Sequence, residues 1–465
     1  MSDAALEPME VWSKVLEIFD PAKPATSLRV PRERYNPLTE KIVPRLSQRL
    51  PHQKYILAGG IGSGKSTELL ATASQVTPHK VVIFVDLLEH FTKRLGNPTA
   101  LNHLQSVELV GLLGLATLRV AEGAPGATPE PLRQALAAAI SGLQRAPDGQ
   151  PPAPNVDIAK LTHGLAVFVG GVIGAYFGGS VGGVAGASAA PSAVEVALKG
   201  LVATSEGFEW KMGVRGRRRT GDEEAPAQAV LSATNALLDN LRQRTGREVV
   251  LVVDGLDRVA EPKTFVDLLV ESSLLVDLRC DVVASVQLGL VQHHRSRLSA
   301  WRCFDFTFVP VADFDTPAAA NPTGLSFFVD LAGRRFDHLG LTHHPITLDH
   351  LNRLAYLSGG RLRDFMTLTR EVAMESLLAK VTIAGDDQVE KALDQFRRDR
   401  ESGLNSLELD TLTEILQDRR RRLPPGEVAM ELLTKSCLLA YPNRSTWYLP
   451  HPILMMHILD TTTTG

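Results

Sequence analysis

Cysteine is scarce in this 465-residue chain: Cys280, Cys303 and Cys437 lie far apart, with no CxxC spacing. That pattern argues against a disulfide framework or a zinc site and fits a reducing compartment. Net charge is nearly absent as well. Lys and Arg number 49 against 52 Asp and Glu, a formal charge of −3. No global field draws such a chain to nucleic acid or to anionic membrane, so any binding of that kind must come from a local patch. The opening MSDAALEPMEVW carries acids and no apolar run, so no secretory signal is expected and the expected location is the cytoplasm. What is present is ordinary for a soluble globular protein, with 44% hydrophobic and 22% charged residues. The length predicts roughly two to four domains.

The first chemical signal is KYILAGGIGSGKSTELL, Lys54 to Leu70. A short apolar strand feeds a Gly-rich turn and then a helix, the context that GxxxxGK[ST] requires. The match runs through Gly59, Gly60, Ile61, Gly62, Ser63, Gly64, Lys65 and Ser66. Glycines let backbone N–H groups converge on phosphate oxygens, and the following helix directs its positive end at the same anion. The expected cofactors are ATP (or ADP) and Mg²⁺. Lys65 is expected on the β/γ-phosphates, Ser66 on Mg²⁺ and Thr67 on the α-phosphate side.

A phosphate loop of this kind needs a second strand ending in an acid. VVLVVDGLDRVA supplies it: an apolar β-branched run, Val249 to Val253, ends at Asp254, the expected second ligand to the metal. Gly255 follows, where many motor ATPases have a water-activating glutamate. Asp257 is then the nearest candidate base, with a capping or structural aspartate as the equal alternative. KVVIFVD (Lys80 to Asp86) and CDVVASV (Cys280 to Val286) read as further strands, and Pro262 to Leu278 as a helix. Together they predict an α/β fold, a doubly wound parallel P-loop NTPase sheet with its ligand at the strands' C-terminal ends. Ser285 and Gln287 stand where a polar side chain would sense the γ-phosphate or simply end a strand.

Beyond about Pro317 helices take over. Leu348 to Leu357, the turn Ser358-Gly359-Gly360, and Arg361 to Lys380 read as a helical lid. Arg361 and Arg363 sit at the start of its second helix, where one of them, Arg361 first, would reach back to a phosphate or simply lie on a solvated helix face. Leu407 to Arg420, Glu427 to Thr434, and an apolar hairpin turning at Pro442 to Ser445 predict a C-terminal winged-helix domain. Its Arg419 to Arg422 run suits either a solvated helix end or a phosphate backbone.

A P-loop, a DGLDR acidic strand end, a helical lid and a winged helix in that order resemble the STAND signalling ATPases and the related KAP group. The layout is also similar to the origin-recognition class of AAA+ proteins. The resemblance implies a switch ATPase, assembly into a homo-oligomer, and a bacterial signalling or antiviral-defence setting; low turnover is expected from Gly255. YLPHPIL, Tyr448 to Leu454, looks like the winged-helix histidine motif that touches the β-phosphate of ADP in some STAND proteins. That resemblance puts His451 among the nucleotide ligands, although prolines flank it where that family has methionine and aspartate; a structural histidine is the equal alternative.

Between the two nucleotide motifs lies a Pro/Ala/Gly-rich linker, Glu122 to Pro154, and then Leu161 to Val194 without one Asp, Glu, Lys or Arg. Gly170, Gly174, Gly178, Gly182 and Gly186 recur every fourth residue, which on a helix stacks them into a groove for close helix contact, a glycine zipper. A single crossing is excluded, because the chain must return to the same sheet. Two full spans need about 40 apolar residues, reached at Ala203 only by including Glu195 and Lys199. Two readings follow: a short hairpin that engages membrane lipid through 161–203, with Arg215 to Arg219 on anionic headgroups, or a Gly-rich hairpin packed within a soluble oligomer. The KAP resemblance favours the first.

The expected organisation is an N-terminal helical or extended segment at 1–50 and a P-loop domain in two parts, 51–121 and 221–316. The parts are split by the linker and insertion at 122–220, and a lid at 317–403 and a winged-helix-like domain at 404–465 complete the chain. The leading function is an ATP-controlled signalling switch that is cytoplasmic, with membrane association on activation. The alternative is an origin-recognition-like ATPase that binds DNA through its winged helix. No effector signature accompanies the ATPase motifs, so a separate effector or sensor protein is an expected partner unless the insertion is itself the effector.

Overall fold

The computed structural model describes residues 7–21, 28–32, 34–48, 50, 52–94, 97–143, 224–317, 319–341, 343–442 and 446–455. The Gly-rich segment 161–203 and the Arg215 to Arg219 run lie outside the described residues. No helix among the described residues is long and apolar enough to cross a membrane.

Five strands form the central sheet: β1 Lys54–Gly59, β2 Val81–Asp86, β3 Val249–Asp254, β4 Asp281–Gln287 and β5 Arg302–Phe306. Their order is β2-β3-β4-β1-β5. Strands β1, β3 and β4 are buried along their whole length. Only β-branched and other apolar runs such as VVIFVD and VVLVVD tolerate burial on both faces, and such runs pair parallel with helical crossovers. Pairing of β2 with β3 is parallel from Val81↔Val249 to Asp86↔Asp254, and β3 with β4 from Val250↔Asp281 to Val253↔Ala284. The result is the expected doubly wound α/β P-loop NTPase sheet, with a polar residue at the C-terminal end of each of β2, β3 and β4.

Strand β5, RCFDF, has no counterpart in the sequence reading. It is an edge strand, exposed at Arg302 and only half-buried over its next three residues, so neither an unbroken apolar run nor a clean alternation marks it. Two helical expectations are corrected. The stretch read as linker from Glu122 carries a helix, Glu130–Leu143, whose Leu136, Ala139 and Ile140 are buried. Conversely, helix over Pro262 to Leu278 stops at Val270. There the Ser272 hydroxyl accepts the Leu274 N–H at 3.3 Å, a local bond that competes with continued helix.

By packing, the chain divides into a unit of Pro37–Ala58 with Glu68–Asp305 and a unit of Met1–Asn36, Gly59–Thr67 and Phe306–Gly465. In the first, the helices Ser106–Gly123 and Glu224–Thr245 pack against each other beside the sheet. In the second, the helices Pro322–His338, Leu348–Leu357, Leu362–Ala379 and Asp386–Glu401 form the lid. They are followed by the helices Ser406–Gln417 and Glu427–Lys435 and by an antiparallel hairpin, β6 Leu438–Tyr441 with β7 Trp447–Pro450. This helix, helix, hairpin succession is the winged-helix element. Its apolar side, Leu439, Tyr441, Trp447 and Leu449, packs with Phe308 and Ala312.

Candidate functional site

The phosphate loop leaves β1 at Gly59 and enters the helix Lys65–Val76. Gly62 has φ +83°, and a Cβ there would lie 2.7 Å from Arg363 Cβ, so an L side chain is excluded both by backbone conformation and by space. Lys65 is buried, and its ammonium donates to the Gly59 and Gly60 carbonyls at 3.0 and 2.8 Å. Ser66 and Thr67 follow in the first helical turn, half-buried. Ser63 is 1% exposed, and its hydroxyl has no hydrogen-bond partner among the described residues. A buried hydroxyl in that state is costly unless a ligand satisfies it. With an ammonium, a run of loop N–H groups and two further hydroxyls beside it, the donor set matches the oxygens of a polyphosphate.

The lid helix starts on this loop. Arg361 precedes the helix Leu362–Ala379, and its Nε donates to the Ile61 carbonyl at 2.7 Å. The Arg363 N–H donates to the Gly62 carbonyl at 3.2 Å. A Leu362 methyl stands where a Gly64 Cβ would, and the Phe308 ring does the same at Gly60. The sequence placed both arginines at the lid start; the structure distributes their contacts. Arg361 grips a carbonyl of the loop through its side chain, whereas Arg363 is fixed there through its backbone.

Arg361 also donates through Nη1 to both oxygens of Asp364, at 2.7 and 3.0 Å. Arg400 Nη2 meets Asp364 Oδ2, and His451 Nε2 lies 3.2 Å from the same oxygen. Burial alone would push the Asp364 carboxyl up, but Arg361, Arg400 and the His451 bond outweigh it and hold the carboxyl well below the usual range. Burial and the Arg400 charge depress His451 to about 4 despite Asp364. The structure therefore places His451, fully buried, on a lid carboxylate. Asp364 and Arg400 were not singled out in the sequence; they stand in the first turn of the helix Leu362–Ala379 and the last turn of the helix Asp386–Glu401, where an acid and a base are ordinary.

In the sheet unit, Asp254 is 2% exposed and its Oδ1 accepts from Ser285 Oγ at 2.6 Å and from the Gly255 N–H at 2.9 Å. Ser285 is thus a support of the acid rather than a group aimed elsewhere. Asp254 presents a hard oxygen of the kind Mg²⁺ takes. Gly255 has φ +92°, and a Cβ would lie 2.7 Å from the Leu88 nitrogen. Asp257 is buried in the short helical turn Leu256–Arg258. Asp86, the register partner of Asp254, is pushed up to about 7 by burial and then by the Asp254 charge. The sequence reading passed over Asp86, although its signal, an acid ending a parallel strand, is the one that marked Asp254.

The fold and the loop define an α/β P-loop nucleotide-binding fold with a helical C-terminal region. No known protein-family profile matches the chain, and no curated protein matches it. Solved structures do. The ORC1 protein of Aeropyrum pernix in complex with DNA shares 12% identity over 96% of both chains, with a TM-score of 0.41. The ORC2 protein of Aeropyrum pernix in its ADP form shares 12% over 97% of this chain and 98% of that one, at 0.39. Drosophila ORC bound to DNA shares 11% over 97% and 92%, at 0.38. These are distant likenesses of fold and transfer no residue roles.

Proposed function

We propose that this chain is an ATP-binding switch of the P-loop ATPase class, with slow turnover. One observation carries the reading: the lid start is bonded to the phosphate loop itself, Arg361 Nε to Ile61 O and Arg363 N–H to Gly62 O. Whatever fills the loop then bears directly on the lid, which a switch requires. In this reading Gly59 to Lys65 hold the phosphates, Ser66 and Asp254 hold Mg²⁺, and Thr67 borders the α-phosphate. Bound Mg²⁺ would neutralise charge on the β- and γ-phosphates. Asp257 is the acid nearest in sequence for orienting water, and slow hydrolysis follows from Gly255, where a glutamate has neither the conformation nor the room. Titration with a fluorescent ATP analogue, with and without Mg²⁺, tests the proposal. Submicromolar to micromolar affinity that Lys65→Ala removes supports it; equal affinity in the variant sinks it.

For the output we favour nucleic acid, the origin-recognition-like reading, over the membrane and the signalling or antiviral setting. Arg419, Arg420 and Arg422 are exposed on the turn between the helices Ser406–Gln417 and Glu427–Lys435. Arg421 is not available: it is buried, with its guanidinium over the Phe314 and Trp447 rings at 5.8 and 5.7 Å. Three exposed arginines beside a hairpin suit a phosphate backbone. Anisotropy with duplex DNA at several salt concentrations, with ATP, is the test. Loss of binding in an Arg419, Arg420, Arg422→Glu triple variant is expected, while leakage of anionic liposomes without DNA binding would reverse the preference.

A further inference from the structure

Asp364 joins the two ends of the hairpin to the phosphate loop. Arg400, from the helix Asp386–Glu401, binds Asp364 with one nitrogen and donates to the Ser436 carbonyl with the other at 2.9 Å. Ser436 leads into β6. His451 follows β7, and its Nδ1 accepts the Ile453 N–H at 3.3 Å. A ring nitrogen that accepts carries no proton, so the proton of the neutral imidazole is on Nε2, which donates to Asp364 Oδ2. Both nitrogens of His451 are thus committed within the protein, and neither is left to bind a phosphate.

On the other side of the carboxylate, Arg361 divides its guanidinium. Nη1 is held by Asp364 and Nε by the Ile61 carbonyl. A guanidinium is planar and rigid, so fixing Nη1 aims Nε. Arg361, Asp364 and His451 are all at least nine-tenths buried. Solvent therefore cannot replace any of these partners cheaply, and a loss at one end is felt along the chain of bonds.

We propose that Arg361, Asp364 and His451 are positioning residues for the phosphate loop: the hairpin sets His451, His451 and Arg400 set the Asp364 carboxylate, and Asp364 aims Arg361 at the Ile61 carbonyl. The functional consequence rests on the reading of the loop as a nucleotide site. The relay makes nucleotide affinity depend on the place of a histidine that touches no nucleotide. A demonstrated response of the loop to a distant change is the physical warrant such a coupling needs.

The test is backbone amide hydrogen exchange of residues 60–64 in the full chain, together with the affinity for a fluorescent ADP analogue, in His451→Leu, His451→Gln and Arg361→Met. His451→Leu removes the donor, whereas His451→Gln keeps an amide N–H near the Nε2 position. Expected are a rise of about tenfold or more in loop exchange, and a fall of about fivefold to tenfold in affinity, for His451→Leu and Arg361→Met, with substantial recovery in His451→Gln. Unchanged loop exchange in a folded Arg361→Met overturns the proposal. So does a rise in His451→Leu that is matched equally in β3, which would be general loosening. Should His451→Leu fail to fold, Arg361→Met and His451→Gln decide alone. Should the wild type bind no nucleotide, the ATP-switch reading fails, and the exchange data still judge the relay.

Discussion

Ser285 Oγ donates a 2.6 Å hydrogen bond to Oδ1 of Asp254, joining the ends of two neighbouring parallel strands. Both residues are buried, so the bond holds the Asp254 carboxylate in one orientation at the end of its strand. Ser285→Ala is expected to cost about 1–2 kcal/mol of stability, the usual cost of leaving a buried acceptor short of a donor. It is also expected to raise the Mg²⁺ concentration needed for tight ATP binding by severalfold. Chemical denaturation and Mg²⁺ titration check the two effects separately.

Asp254→Asn separates metal from nucleotide. It is expected to leave Mg²⁺-free ADP binding within about twofold of wild type and to abolish the gain from Mg²⁺. Lys65→Ala should weaken both by about tenfold or more, which is about 1.4 kcal/mol. Isothermal titration with and without Mg²⁺ distinguishes these patterns. Identical behaviour of the two variants would remove Asp254 from the metal site.

Gly255→Glu restores the residue that motor ATPases place after the metal acid, yet it is expected not to raise phosphate release. The left-handed backbone at φ +92° costs a non-glycine residue about 1–2 kcal/mol. The added Cβ also collides with the Leu88 nitrogen. A lower denaturation midpoint with no gain in turnover is the expected pair of results. A faster enzyme of unchanged stability would show that the segment Leu87–Glu89 yields.

Acid should weaken the fold through His451. Its ordinary value of 6.5 falls to about 4 in the folded chain, because burial and then the Arg400 charge oppose protonation. Between those two values the unfolded chain takes up a proton at residue 451 that the folded chain refuses. Stability is therefore lost as pH falls through this window, by at most about 3 kcal/mol. Asp86, pushed up to about 7, contributes with the opposite slope. The difference between wild type and His451→Gln isolates the histidine, since Asp86 is common to both. That difference should change steadily from pH 6.5 to 4 and be flat above 7.

The sequence by itself determined the contiguous segments whose pattern has one reading. Strand β1, the phosphate loop and its lysine are legible because loop chemistry and strand burial are written in neighbouring residues. Asp254 is legible because an unbroken β-branched run can only be a buried strand and an acid ends it. The hairpin is legible for a similar reason. Strand β5 escaped because an edge strand needs no continuous apolar run, and the helix Glu130–Leu143 escaped because its alanines and Pro131 resemble linker composition. Only the tertiary structure decided what the polar side chains do. Arg361 and Ile61 are 300 positions apart, and His451 and Asp364 are 87 apart. Hydrogen bonds between such residues leave no periodicity in the sequence. They exist because burial makes an unpaired charge costly, and the fold alone decides which carboxylate, guanidinium and imidazole are buried together.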